Sequence, residues 1–382
     1  MTAICPICQI SAIHLRSFVF PEKEHLPANT DILVCGTCSF AFSTPRKADE
    51  YLAYYRATMN DSLGADVELS IGESNRYAAQ ASILGPLLDT NRTLRVLDVG
   101  CGQAGLLRML CSQHPQHRFF GVDPNVSLVP SSNSGIHFST DWRYLEGSFD
   151  LIILSHVIEH LVDFDDIALL TKRLAVSGHI YLEVPDTSRY GNYLRREFLY
   201  YFDRLHINHF TRQSLQLLAS QWGLHVHGSG CTEFEYKDGK AFPAIYLLAS
   251  AFDDPPPHDY PPIATDLQRI LRNYIGEELV RAKVIRQNLE HRASIVVYGF
   301  GDNFFKSTAT GGPLEDIPIA AIVDMRHASL SLSPYAKTYR FMDIEACCTE
   351  FPDSTYVIAV SWGNLEICNA LQDRGIRDIQ LI

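Results

Sequence analysis

No apolar run in this chain approaches the roughly 20 residues that a bilayer demands. Nor does a cationic stretch followed by an apolar one open it. A membrane span and a cleaved signal peptide are therefore not expected, and the expected location is cytoplasmic. The chain also lacks an excess of basic residues: 32 lysines and arginines stand against 44 aspartates and glutamates, for a formal net charge of −12. Such a surface does not steer a polyanion over long range. Nucleic-acid and membrane partners are accordingly not expected. Repeats and low-complexity tracts are missing as well. What remains is a chain of 382 residues with 46% apolar content, enough for ordinary cores in two or three domains.

Cysteine is not scarce. There are ten, and four of them form two Cys-x-x-Cys turns, Cys5-Pro6-Ile7-Cys8 and Cys35-Gly36-Thr37-Cys38. In a reducing compartment such pairs point to metal rather than to disulfides. Each turn aims two thiolates at one point, and two turns complete a tetrahedral four-sulfur site. A closed site of this kind leaves no position for water, so its role is structural. Zinc is the first expectation and iron the second; four reduced thiols without metal are the alternative. The first 60 residues hold five Lys/Arg and five Asp/Glu, so no basic face is apparent there. This unit is expected to fold onto the next and to help shape a substrate cleft.

The pattern divides into four parts: residues 1–60, the four-cysteine unit; 61–250, alternating strand and helix patterns; 251–293, a proline-rich linker and a helix; and 294–382, a second alternating unit. The linker is marked by Pro255-Pro256-Pro257 and Pro261-Pro262. In the helix after it, Leu267, Ile270, Leu271, Tyr274, Ile275 and Leu279 fall on one face. The last unit opens with a strand running into Gly299-Phe300-Gly301, and Asp324 ends its next strand, where an acid could touch a ribose.

The most informative stretch is Val96-Leu97-Asp98-Val99-Gly100-Cys101-Gly102-Gln103-Ala104-Gly105. A buried strand ends in a glycine-rich turn and passes into a helix near Leu106. Glycines there allow close approach to a ligand, and the helix start adds a positive dipole end. Dinucleotide enzymes share this turn, so alone it is weak. The next strand, Phe119-Phe120-Gly121-Val122-Asp123, ends in an acid placed to accept ribose hydroxyls. Strands then follow at Phe149–Ser155 and, after Ser177-Gly178, at His179–Pro185. In this order the features resemble class I S-adenosylmethionine (SAM) methyltransferases. The resemblance implies an α/β fold with a central Rossmann-like methyltransferase domain. Flanking it are an N-terminal zinc-ribbon-like unit and a smaller C-terminal Rossmann-like α/β domain.

The same resemblance implies a cofactor site. Gly100 and Gly102 lie against the methionine portion, and Asp98 positions the loop or the amino group. Asp123 holds the ribose, Asp141 reaches the adenine amino group, and Trp142 stacks nearby. Ser155 and His156, at a strand end, line the space beside the methyl group. Tyr54 or Tyr55 covers the active site or simply packs. His156-Val157-Ile158-Glu159-His160 spells a zinc-peptidase pattern, but directly after a strand of this sheet it reads as a brace for the following turn.

A carbon or hydroxyl nucleophile needs a base, and His206 in Asp203-Arg204-Leu205-His206-Ile207-Asn208-His209-Phe210-Thr211 is the candidate. A structural or substrate-positioning role for it is the alternative. His209 is expected to pack, and Thr211 to cap a helix. Over its whole length the chain resembles three-domain nucleotide-sugar C-methyltransferases with an N-terminal zinc-binding unit. That implies an acceptor sugar nucleotide lying between the central and C-terminal domains, a carbon beside a ketone as nucleophile, and His206 as base. The family has a tyrosine and a glutamate three and one residues before its histidine; here these positions are Asp203 and Leu205. Asp203, Tyr200 or Tyr201 is the expected substitute. O- or N-methylation of a sugar or related metabolite, a catalytically silent SAM-fold module and, last, nucleic-acid methylation stay open as rivals.

Overall fold

In the computed structural model, the description covers residues 3–23, 26–58, 71–125, 135–193, 195–235, 241–251, 266–360 and 363–382. The proline cluster expected as a linker falls outside them.

The four-cysteine unit contributes β1 (Ile13–Val19), β2 (Asn29–Cys35), β3 (Phe40–Thr44) and α1 (Ala48–Thr58). The strands pair antiparallel in sequence order. Next come α2 (Ile71–Leu88), β4 (Arg95–Val99), α3 (Gly105–Gln113), β5 (Arg118–Val122) and β6 (Ile136–Ser139). They are followed by β7 (Phe149–Ser155), α4 (Asp165–Thr171), β8 (Leu174–Pro185), β9 (Asn208–His209) and α5 (Arg212–Gln221). Two long strands, β10 (Leu224–Glu235) and β11 (Ala241–Ala251), complete this part.

Seven strands form one sheet in the order β10-β11-β8-β7-β4-β5-β6. The five from β8 to β6 are parallel, and β11 enters antiparallel beside β8. The order reverses between β4 and β7, which opens a crevice at their C-terminal ends, the usual ligand position in such sheets. Val96, Leu97, Leu151 to Leu154, Ile180 to Leu182 and Val184 are all buried, as strands covered on both faces require.

Helix α6 (Leu267–Leu289) leads into the last unit, where β12 (Ile295–Tyr298), α7 (Asp302–Ser307), β13 (Ile319–Val323), α8 (His327–Leu330), β14 (Phe341–Met342), α9 (Ile344–Glu350), β15 (Thr355–Ile358), α10 (Asn364–Asp373) and β16 (Ile379–Leu381) follow. Its five strands are all parallel, in the order β14-β13-β12-β15-β16. The sequence predicts this second nucleotide-type sheet from the strand running into Gly299.

The molecule is not a simple string of units. The four-cysteine sheet is closed by β9 from the middle of the chain, with Ala41 paired to His209 and Phe42 to Asn208. Cys5, Cys35, Cys38, Phe40 and Phe42 share a continuous core with Leu97, Ile152, Leu182 and Phe210. Asn208 locks this junction: its Nδ2 donates to the carbonyls of Ile158 (2.8 Å) and Leu161 (2.7 Å), and its Oδ1 accepts from Arg46 (2.8 Å). Arg46 also donates to the carbonyls of Leu161 (3.0 Å) and Val162 (2.6 and 2.9 Å). Asn208→Ala would remove three hydrogen bonds at this junction, to Ile158, Leu161 and Arg46. It should cost about 2–4 kcal/mol of unfolding free energy, read from urea denaturation. A loss below about 1 kcal/mol would contradict this account of the junction.

Candidate active site

The glycine turn at the end of β4 is built as a cradle. Gly100 (φ 74°) and Gly102 (φ 50°) take left-handed backbone conformations. A Cβ on Gly100 would strike Val157 at 2.5 Å, whereas one on Gly102 would meet nothing within 4 Å. The turn is therefore closed on the protein side and open on the other. Gly102 donates its N–H to Asp123 Oδ2 (3.1 Å), and Asn125 donates to Asp123 Oδ1 (2.9 Å). The acid after β5 is thus fixed beside the cradle.

Asp98 is buried and makes no side-chain hydrogen bond among the described residues. Burial, then the nearby charge of Asp123, pushes its carboxyl up to about 8, with Arg76 working against them. A buried acid of this kind in front of an open glycine turn is what a cationic ligand would offset. These features fit the amino-acid and ribose ends of SAM.

Two adenine-side expectations are altered. Asp141 is the N-cap of a short 3-10 turn, and both its oxygens are occupied by Arg143, at 2.8 Å from the backbone N–H and 2.9 Å from Nη1. Trp142 packs on the main core with the guanidiniums of Arg143 (4.9 Å) and Arg173 (5.9 Å) over its ring. A cap and a packed indole are what local geometry builds here.

Ser155 and His156 end β7, where His156 adopts φ 55°. Gln80 donates to Ser155 Oγ (2.7 Å) and to Glu183 Oε1 (2.6 Å). His156 lies between two buried glutamates, with Nδ1 at 3.1 Å from Glu159 and Nε2 at 3.3 Å from Glu183. Tyr181 also donates to Glu183. His156 Nδ1 is thus braced by Glu159, while Nε2 is sealed from solvent opposite Glu183 without a hydrogen bond, so the ring lies between two carboxylates. Burial alone would push the imidazolium pKa down, but Glu159 and Glu183 outweigh it and the value is raised. Both glutamates end lowered, as His156 beside them outweighs their own burial.

His160 turns the other way. Its Nδ1–H donates to the carbonyl of Leu205 (3.1 Å), which leaves Nε2 unprotonated, and burial followed by His206 lowers its pKa. The two histidines of the peptidase-like pattern thus do not face one point. His160 instead lies against His206, ring centroids 4.7 Å apart, with Tyr55 edge-on at 5.9 Å. Glu159, His160 and His206 bring ligand atoms within 4.8 Å of one another, close enough to exchange a proton or admit a cation.

The imidazole of His206 is backed by Asp203. Asp203 Oδ1 accepts the backbone N–H groups of Leu205 (2.8 Å) and His206 (2.6 Å), and Oδ2 stands 3.6 Å from His206 Nδ1. Burial would raise this acid, but the charges of His206 and Lys306 and the His206 N–H hold it down to about 2. His206 Nδ1 is sealed from solvent while the side chain as a whole keeps 22% exposure, so Nε2 is the outward nitrogen. Tyr55 Oη and Glu159 Oε2 beside it are likewise sealed, without hydrogen-bond partners among the described residues. His209, by contrast, is pushed down to about 3 by burial and then by His206, and packs on Phe202 and Tyr190. Thr211 caps α5 in a reciprocal pair with Ser214.

Several contributors were not foreseen. Glu278 on α6 accepts the backbone N–H of Leu199 (2.7 Å), a residue held at φ 50°. Arg281, bonded to Glu278 (2.7 Å), donates to the carbonyls of Arg195 and Glu197 (3.2 Å). Lys306 of α7 pairs with Glu197 Oε2 at 2.8 Å. Together they clamp the segment leading to Asp203. In the last unit, Asp324 accepts from Phe300 N–H (2.9 Å) and pairs with Arg326 (3.0 Å), so the acid expected to touch a ribose is used internally.

At the far side, the sulfurs of Cys5 and Cys38 lie 3.6 Å apart and those of Cys8 and Cys35 3.3 Å apart. Sulfurs around one tetrahedral ion with 2.3 Å bonds stand about 3.8 Å apart, so the four cysteines fit a metal.

Residues 72–228 match the family model described as a methyltransferase domain. No curated protein matches the chain. Solved structures similar to it include a SAM-dependent methyltransferase from Methanosarcina mazei (16% identity, 45% of this chain and 98% of that one, TM-score 0.36). Others are magnesium protoporphyrin IX methyltransferase from Synechocystis PCC 6803 (16%, 52% and 97%, TM-score 0.38) and the N-methyltransferase NodS from Bradyrhizobium japonicum WM9 (15%, 51% and 96%, TM-score 0.36). Residues 72–228 thus carry a methyltransferase domain. The match supports an enzyme. No described helix is long and apolar enough to cross a membrane.

The His156 network makes stability pH-dependent in a defined sense. The raised histidine contributes fully below its ordinary value of about 6.5, and its contribution is lost as pH rises through the folded value. The lowered glutamates contribute above about 4.3, and theirs is lost as pH falls through their folded values. Stability by denaturant titration should therefore fall as pH rises above about 6.5, and His156→Gln should flatten that limb. An unchanged limb in the variant would remove His156 as its source.

Proposed function

We propose that the enzyme methylates a small acceptor, a nucleotide-linked keto sugar, at a carbon beside its carbonyl, with His206 as general base. The observation that carries this is the outward-facing His206 Nε2 with Asp203 behind Nδ1. When bound, SAM supplies an electrophilic methyl group together with its leaving group. Asp98 would offset the cofactor's amino-acid cation, Gly100 and Gly102 would admit it closely, and Asp123 would accept the ribose hydroxyls. The chain's own task is alignment and proton removal. His206 Nε2 takes the proton from carbon, and the electron pair of that C–H bond passes into the carbonyl as an enolate. Asp203 stabilises the imidazolium that forms. Such a base is worth roughly 10²–10⁴-fold. The Asp203 carboxylate stands where the resembled family has tyrosine and keeps a polar partner beside the base. The four cysteines hold a structural zinc ion that rigidifies the unit against which β9 pairs.

Isothermal calorimetry should show S-adenosylhomocysteine binding that Asp123→Ala weakens about tenfold or more. Absence of binding in the wild type would end the methyltransferase reading. In deuterium oxide, a keto-sugar nucleotide should exchange the C–H beside its carbonyl. His206→Gln should slow exchange roughly 10²–10⁴-fold, and exchange that survives the substitution would refute the base. Elemental analysis should find one zinc per chain, and Cys35→Ser should lose it and lower the melting temperature. Metal-free protein with an unchanged melt would contradict the zinc assignment.

A further inference from the structure

Arg204 is an unusual cation. It sits next to Asp203 and two residues before His206, and its side chain is nearly closed off, with the residue only 5% exposed. Buried guanidiniums normally meet a carboxylate. This one has no ion-pair partner among the described residues. Its one hydrogen bond among them is a long 3.4 Å contact from Nη1 to the carbonyl of Pro21. The guanidinium is held by rings: Phe20 at 4.8 Å from the four-cysteine unit and Phe305 at 5.6 Å from α7. Burial lowers its pKa, opposed first by the charge of Asp302. Nε and Nη2 bond to none of the described residues, yet they are not among the donors sealed from solvent.

A second cation lies across the same ring. Lys23 Nζ stands 5.2 Å from the Phe305 ring centre and 4.8 Å from that of Tyr54. It donates to Tyr54 Oη (2.8 Å) and to Asp302, whose side chain is half exposed. Three parts of the chain thus converge on this point: Phe20, Pro21 and Lys23 from the first, Arg204 from the base-bearing segment, and Asp302 and Phe305 from the last. Two cations, Lys23 and Arg204, thus act on one half-exposed carboxylate, Asp302, while the ionised Asp203 is a second acid nearby.

We infer that Arg204 and Lys23 form an oxyanion subsite that receives the phosphate groups of the acceptor, with Asp302 holding Lys23 until the anion arrives. The inference rests on the acceptor reading above and adds to it a specific anchoring point. The aromatic walls keep the guanidinium fork in one orientation, which suits two-oxygen recognition of phosphate. Anchoring there would place the rest of the acceptor against His206, because only one residue separates Arg204 from it.

The probe is inorganic pyrophosphate, titrated calorimetrically into the full-length protein in low-chloride buffer. Arg204→Met should weaken binding about tenfold or more, with S-adenosylhomocysteine affinity unchanged. Asp302→Asn, at a half-exposed side chain, should tighten pyrophosphate binding severalfold; misfolding cannot produce a gain. Uridine diphosphate binding at least as tightly as pyrophosphate, and losing affinity in Arg204→Met by the same factor, would place a nucleotide's phosphates there. No pyrophosphate binding by the wild type, or equal binding by wild type, Arg204→Met and Asp302→Asn, would overturn the subsite. Loss of the cofactor reading would show separately, as failure of S-adenosylhomocysteine to bind.

Discussion

The cleft depends on a two-residue strand. Asn208 and His209 in β9 close the four-cysteine sheet through β3, and the same segment is stitched to the catalytic sheet from its other side. Ser43 donates to the Ile207 carbonyl (2.9 Å) while Ile207 donates to that of Glu159 (2.9 Å), and Thr187 donates to that of Phe210 (3.0 Å). His206 is thereby fixed one residue before a ladder that neither sheet completes alone. The cysteine turns are remote from the cofactor cradle, yet they hold the unit that supplies β3. A structural metal in such a place bears on the chemistry through position only.

The second organising constraint is electrostatic. The C-terminal ends of β4, β7 and β8 gather the buried acids Asp98, Glu159 and Glu183 around the largely covered His156. Water satisfies none of them well, so each needs a partner or a neutral form. Three solve the problem together, as a cation between two carboxylates bolstered by Gln80 and Tyr181. Asp98 does not join them, and its raised pKa is the sign of that isolation. The division separates a self-sufficient brace from an acid without a protein partner among the described residues, although both lie along one edge of one sheet.

Much of this was legible in the sequence. The glycine turn, the acid after the second strand and the helix over 267–289 are set by local pattern, because backbone freedom, strand alternation and helical spacing are local properties. The pairing of β3 with β9 is not local: two residues carry no periodicity, and their partner lies far away in the chain. The bracing of His156 was illegible for the same reason, since Glu183 reaches it from a neighbouring strand. A signal was nonetheless present. Glu183 is an acid inside the apolar strand Ile180-Tyr181-Leu182-Glu183-Val184, and Glu278 falls on the apolar stripe of α6 with Leu271, Tyr274, Ile275 and Ala282. Buried acids in apolar patterns ask for a partner, and both found one near the base. Asp141 went the opposite way, since an Asp at a turn start with an Arg two residues on satisfies itself locally.

The two parallel sheets show how one arrangement can be kept for ligand or consumed internally. Asp123 in the first and Asp324 in the second each end the strand after a glycine turn, and each accepts a backbone N–H from that turn, Gly102 in one and Phe300 in the other. The residue two positions beyond each acid makes the difference. Asn125 offers Asp123 only a neutral N–H, so its charge remains available. Arg326 brings Asp324 a full countercharge and donates as well to the Phe300 carbonyl (2.9 Å), which ties acid and turn into one closed unit. A ribose approaching Asp324 would have to break an ion pair that one approaching Asp123 does not meet. What the last unit presents to the cleft is instead its short helix α7, with Asp302, Phe305 and Lys306 directed at Lys23, Arg204 and Glu197. The polar contacts of this nucleotide-type sheet thus lie on a flank, against the segment that carries Asp203 and His206.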